Sequence, residues 1–323
     1  MLPTFPMTQA QRTDWLPLPL HDWHQTQTAL HLRAQIVGKT RLALAPMQNH
    51  WWQVAQYVTA RGLSTSPMPY GDRTLEIEFD FMAHALVFRT AEGEIRTLPL
   101  VPQSIADFYH DYQALLRSLE IDVHIWPVSQ EMAEAIRFTD DRGHATYDRD
   151  AVERFFKVLA QVDRVLKSFR SRFMGKSSPS HFWWGGFDMA CTRFSGRPAT
   201  THPGGIPHLA DFVTREAYSH ECISGGWWPG TSGSPVDEPA FYAYAYPEPA
   251  GCAQAPIRPS GARYDTAMRE WILPHADVIR TENPDAVALE FLQATYDIAS
   301  KLGSWDESLE RPVAIQESFA RHR

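Results

Sequence analysis

Two stretches concentrate the residue types that can do chemistry. The first is Ser180-His181-Phe182-Trp183-Trp184-Gly185-Gly186-Phe187-Asp188, which continues through Cys191, Arg193 and Arg197. The second is Tyr218-Ser219-His220-Glu221-Cys222, followed by Gly225-Gly226-Trp227-Trp228. Imidazoles and carboxylates can exchange protons with a substrate, which makes His181, His220, Asp188 and Glu221 the candidate catalytic set. Imidazoles are also the usual ligands of zinc and non-haem iron, so His50, His84, His181 and His220 form a candidate site for a divalent transition metal. The planar forks of Arg193 and Arg197 suit a carboxylate or phosphate, while Trp184 and Tyr244 offer flat apolar walls.

Spacing limits these readings. On a strand, His220 and Glu221 point to opposite faces, so one site takes at most one of them. Asp80 and His84 would share a strand face but lie about 13 Å apart, too far for one ion. His181 and His220 each stand close to a glycine pair and a tryptophan pair, and the expectation is that they face one cavity. Plainer alternatives stay open: histidines hydrogen-bonded among aromatics, arginines paired with surface acids, and Cys191 and Cys222 as inert buried thiols.

Other chemistries are absent. Gly38-Lys39-Thr40 and Gly175-Lys176-Ser177 mimic the tail of a phosphate loop, but Arg33 and Arg170 stand where its leading glycine belongs. No dinucleotide fingerprint occurs, and Gly230-Thr231-Ser232-Gly233 runs into Ser234 rather than completing a nucleophile elbow.

The elements that must position these residues read as follows. A helix is expected over Gln25 to Val37, stopped by Gly38, with strands at Arg41 to Ala45 and Trp51 to Thr59. Leu75 to Arg89 alternates as one long strand, with Ile95 to Leu100 after it. Ser104 and Asp107 open a helix in the manner of a capping box, and Val123 to Trp126 reads as a short strand. Asp148 or Asp150 caps the longest helix, running to about Phe173, whose apolar stripe includes Val152, Phe155, Leu159 and Leu166. Phe241 to Tyr246 alternates tyrosine with alanine, and a last helix starts at Asn283-Pro284 and ends at Gly303. Successive alternating strands without intervening helices predict an α+β fold, mainly antiparallel sheet with long packed helices. Each half repeats a helix, a Gly-Lys pair, a histidine with a tryptophan pair, strands and a closing helix, which suggests a duplicated pair of units. The division is an irregular arm over 1–24, units over 25–145 and 146–310, and a tail over 311–323.

Composition bounds the partners. Across 323 residues the formal charge is −8 and no basic stripe occurs, which argues against nucleic acid. No apolar run reaches the length of a membrane span, and the proline-rich first twenty residues do not read as a secretory signal. Three widely spaced cysteines are neither a disulfide framework nor a zinc ribbon, so a cytoplasmic location is expected.

Gly38-Lys39, Asn49-His50-Trp51-Trp52, Ser180 to Trp184, Thr192 to Arg197, Tyr218 to Glu221 and Tyr244-Ala245-Tyr246-Pro247-Glu248-Pro249 together resemble the bacterial domain-of-unknown-function family 5996. The resemblance extends from about Trp15 to Trp305. It implies a soluble bacterial protein with one family-wide fold, and brings no catalytic residue with it. From the residues, the expectation is an aromatic pocket bearing His and Arg, in an enzyme acting on a small polar or anionic metabolite. The alternative is a non-catalytic protein binding a small molecule or peptide. Geometry separates them: histidines and carboxylates converging on one point favour chemistry, and aromatic walls with dispersed ionisable groups favour binding.

Overall fold

The computed structural model describes residues 15–132, 135–206 and 209–311. The proposed arm up to residue 14 and the tail beyond residue 311 lie outside them. The chain folds as α+β around two antiparallel sheets. Helix α1 (His24–Leu44) leads into the first sheet, built from β1 (Tyr57–Val58), β2 (Gly62–Ser64), β3 (Met68–Tyr70), β4 (Arg73–Asp80), β5 (Ala85–Thr90) and β6 (Ile95–Pro99). The strand order is β1-β2-β4-β5-β6, with β3 paired to β4. Helix α2 (Ile105–Ser118) closes this half, with the Ser104 hydroxyl accepting from the Asp107 amide.

Helix α3 (Arg149–Ser171), capped by Asp148, opens the second half. Its sheet comprises β7 (His181–Trp183), β8 (Asp188–Pro198), β9 (His220–Trp228), β10 (Ala240–Tyr246), β11 (Arg263–Asp265) and β12 (Glu270–Pro274), in the order β11-β12-β10-β9-β8-β7. The short helices α4 (Asp211–Ala217) and α5 (His275–Ile279) interrupt it, and α6 (Pro284–Leu302) follows Asn283 as predicted. The edge strands of the two sheets meet where Gln56 and Phe182 exchange backbone hydrogen bonds of 2.9 and 2.8 Å. One apolar core runs through both halves.

Several local expectations are corrected. Helix α1 does not stop at Gly38 but continues to Leu44, over most of the strand predicted at Arg41 to Ala45. A Cβ on Gly38 would stand 2.3 Å from the indole of Trp184, so this glycine serves close packing rather than a chain reversal. Leu75 to Arg89 is a hairpin, because Phe81–His84 turn the chain and His84 takes a φ of 51°. Asn49–Val54 is a 3-10 segment in place of a strand, with His50 and Trp51 at φ 58° and 62°. Val123 and Ile125 are buried on alternation, yet the segment pairs with no strand. Alternation records which side is wet, whereas a strand also needs a ladder partner.

Candidate functional site

Helices α3 and α6 cover one face of the second sheet. The opposite face floors a cavity of about 760 Å3. Its floor residues are Ala190, Thr192 and Phe194 from β8, Ser224 from β9, and Tyr242 and Tyr244 from β10. They share a face because the register sets Tyr242 opposite Gly226 and Gly226 opposite Ala190. The walls are Trp51 and Trp52 of the 3-10 segment, Trp183 and Trp184 of the β7–β8 hairpin, and Phe212 of α4. Leu42, Trp126, Ile206 and Phe212 are exposed large apolar residues, and all four line the mouth. Such clustering marks a binding surface more than scattered exposed leucines would.

The polar centre of the floor is Asp188. The Tyr242 hydroxyl donates to its carboxylate. A Cβ on Gly226 would lie 2.7 Å from the Tyr242 hydroxyl, so the missing side chain lets that ring cross β9 to reach Asp188. Tyr242 is stacked on Tyr244 with centroids 6.3 Å apart, and the Tyr244 and Tyr218 hydroxyls are 2.9 Å apart. Burial pushes the Asp188 carboxyl up to about 7 against the opposing Tyr242 hydrogen bond, and the nearby Glu131 adds to the rise. Glu270 on β12 is also raised to about 7, by burial first and then by Asp188. Burial raises all three tyrosine hydroxyls, which therefore stay protonated donors.

Glu131 and Lys39 stand higher in the cavity. Glu131 is exposed as a residue, yet its carboxyl is ringed by protein: a Cβ on Gly185 would meet its Oε1 at 2.2 Å. Burial raises its pKa, partly offset by Gln130 and Lys39. The Lys39 ammonium donates to Gln130 Oε1 at 3.1 Å and lies 5.8 Å from the Trp184 ring. Burial lowers its pKa to about 8, with Glu131 opposing the shift.

His50 lines the cavity with both ring nitrogens engaged. Nδ1 donates to Ala217 O at 3.0 Å, and Nε2 accepts from Lys176 at 2.7 Å. Burial and the Lys176 charge lower its pKa and hold it neutral. The adjacent Trp51 indole donates to Val213 O at 3.0 Å. These bonds tie the 3-10 segment to α4 and help hold two non-glycine residues in the left-handed region, which ordinarily costs about 1–3 kcal/mol each.

The other predicted site residues are placed elsewhere. His181 and His220 both project from the cavity face of the sheet, but other rings cover them. The chain of ring contacts runs from His220 to His50 at 5.7 Å, to Trp52 at 5.6 Å, and to His181 at 5.8 Å. His181 is fully buried, with Nε2 3.3 Å from the Tyr57 hydroxyl. His84 sits in the β4–β5 turn of the first half, between Tyr147 at 3.0 Å and Glu153 at 3.2 Å. The four histidines therefore do not converge. Among the described residues, no group of three or more His, Cys, Asp or Glu side chains is arranged to hold a metal ion.

Arg193 points to the opposite face of the sheet. Its guanidinium lies 3.6 Å from the Phe169 ring centroid and 4.2 Å from that of Tyr296, and it donates to Phe169 O. Arg197 pairs with Glu221 at 2.6 Å and donates to the carbonyls of Gly303 and Ser304 beyond the end of α6. Neither arginine lines the cavity, whereas Trp184 and Tyr244 do. Cys222 also lines it, as a thiol raised by burial to about 12. Glu131 and Lys39 were not among the candidate site residues, whereas Trp52 and Tyr218 lie in the histidine-bearing segments singled out from the sequence. The tyrosine alternation along β10 carried a signal for Tyr242, and Glu131 had none, since it sits in an aperiodic loop.

These groups set an acid-stability prediction. Burial lowers His181 to about 3 and His31 to about 4, so between these values and 6.5 the unfolded chain binds more protons and stability falls on acidification. The Asp188 and Glu270 carboxyls act oppositely: from about pH 7 down to ordinary carboxylate pKa values the folded chain binds more protons and gains stability. Asp188→Asn removes one of the opposing contributions. On going from pH 7.5 to 5, conditions chosen for this window at roughly 1.4 kcal/mol per proton per pH unit, the urea midpoint of the variant should drop relative to that of wild type. Parallel curves would contradict the buried carboxyl.

The fold and cavity define an α+β protein with an aromatic-walled chamber on one antiparallel sheet. A family model matches residues 15–311, and the chain belongs to that family of unknown function, DUF5996. No curated protein and no solved structure matches the chain. Among the described residues, no helix is long and apolar enough to cross a membrane.

Proposed function

We propose that this is a cytoplasmic bacterial protein that takes up a small organic molecule in the β8–β10 cavity. One observation carries the reading: a chamber of about 760 Å3 is walled by four tryptophans and floored by a half-buried acid joined to a tyrosine hydroxyl. Cavities of roughly 300–1,000 Å3 with apolar walls and a few placed polar groups are the usual form of ligand sites. The dispersal of the histidines supports binding over histidine-based catalysis. A second reading rests on Asp188, whose carboxyl at about 7 can hold or release a proton near neutrality beside a bound molecule. In that case Asp188 is the acid–base group and Tyr242 the donor that positions it.

A thermal-shift screen against amines, carboxylates, nucleosides and aromatic heterocycles tests uptake. A ligand present at a hundred times its Kd stabilises by about 2.7 kcal/mol. Ala190→Phe, which fills the floor, should abolish every shift seen with the wild type. No shift across all four classes removes the reading.

A further inference from the structure

Resting on that reading, we propose that the ligand of this cavity is an organic ammonium ion, its charged nitrogen seated between Asp188 and Glu131 and its apolar body held by the tryptophan walls. Three features point to a cation. The acids in and beside the chamber are Asp188 on the floor, Glu131 above it and Glu270 behind Asp188. Among the described residues, no basic side chain forms an ion pair with Asp188 or Glu270, and Asp188 accepts a hydrogen bond from the neutral Tyr242 hydroxyl. An ammonium ion would supply the missing opposite charge.

The walls are suited to it. The negative face of an indole or phenyl ring attracts a cation within about 6 Å of the centroid. The protein already uses these same rings in that way: Lys39 lies 5.8 Å from Trp184, and Lys176 lies 5.4 Å from Trp52 and 5.0 Å from Phe194. An anion meets the opposite situation. Arg193 and Arg197 are turned elsewhere, Lys176 is spent on His50, and Lys39 stands beside Glu131.

The groups facing Asp188 fix the pH dependence. They are Tyr242 from β10, Glu270 from β12, Tyr218 beside α4 and Glu131 from its loop, with Lys39 of α1 beside Glu131. The tyrosines are protonated throughout, and Lys39 loses charge only near 8. Asp188 and Glu270 thus titrate together near neutrality, and a cation must displace a proton from them. Its affinity rises with pH, by at most tenfold per unit while one proton is released, and levels off above about 7.

The test uses three probes of one shape: phenethylammonium, neutral 2-phenylethanol and anionic phenylacetate. Calorimetry at pH 6 and 7.5, in buffers of different ionisation enthalpy, reads both affinity and proton release. The expected result is ammonium bound at least tenfold tighter than the alcohol at pH 7.5, with proton release at pH 6. Asp188→Asn should remove that preference and the release; Glu131→Gln, at the exposed edge, should reduce the preference several-fold if Asp188→Asn does not fold. Equal binding of all three probes, or tighter binding of phenylacetate as pH falls, overturns the cation while leaving the cavity a ligand site. Failure of all three also overturns it. The ligand reading then stands or falls on the separate thermal-shift screen.

Discussion

Phe155→Ala is expected to destabilise the protein by about 3–5 kcal/mol, the range for removing a fully buried phenylalanine. Phe155 projects from α3 and has no exposed surface. Its ring is stacked on Phe187 at 5.3 Å and contacts Phe182 and Trp227 of the second half. On its other side it meets Trp23 at 5.2 Å and Phe81 at 6.4 Å, both from the first half. Truncation opens a void that neither sheet can close, because each is held by its own ladder. Urea unfolding followed by tryptophan fluorescence and by far-ultraviolet circular dichroism should give one coincident transition, shifted to lower urea in the variant. A loss under about 1 kcal/mol would contradict a shared core at this ring.

Gly38→Ala carries the second large effect, and its sign is the opposite of what helix propensity alone gives. Alanine inside a helix is favoured over glycine by about 1 kcal/mol. Here the added methyl would stand 2.3–2.4 Å from three atoms of the Trp184 indole. That ring is 3% exposed, and its Nε1 donates to Val54 O at 2.8 Å. Overpacking costs typically 1–3 kcal/mol, and stranding a buried donor about 1–3 more, so after the propensity gain the balance is a net loss of roughly 1–5 kcal/mol. Trp184 also walls the cavity, so the near-ultraviolet dichroism of the tryptophans and the binding of any cavity ligand should change with it. Equal or higher stability in the alanine variant would mean the indole has room to move.

The long helices α2, α3 and α6 were legible because their signals are local. A capping side chain and an apolar stripe at helical spacing lie within one stretch of chain, as Ser104, Asp148 and Asn283 illustrate. Helix α1 was misjudged because burial on nearly every side leaves no periodic stripe, and because the reason for Gly38 lies in Trp184, far along the chain. The hairpin after Asp80 escaped notice for a related reason. A four-residue turn keeps the parity of the alternation on both sides, so β4 and β5 read as one strand.

For the site, the sequence singled out segments that the fold brings to one cavity. The β7–β8 hairpin, the His50-Trp51-Trp52 segment and the alternating tyrosines of β10 all meet at the cavity. Which side chains face it was decided by register and by chain reversal. The turn at Gly185-Gly186 sets His181 opposite Ala190, which leaves Arg193, an odd-numbered neighbour, on the helix-covered face. Rings contributed by the first half then cover His181, Ala217 and Lys176 from the second half occupy the nitrogens of His50, and a loop with no periodicity brings Glu131 to Asp188. Residue type records what chemistry a side chain can do. Whether it does so depends on partners hundreds of residues away in some cases, as when Trp15 donates to Asp285 at 2.7 Å, and such pairings exist only once the tertiary fold has formed.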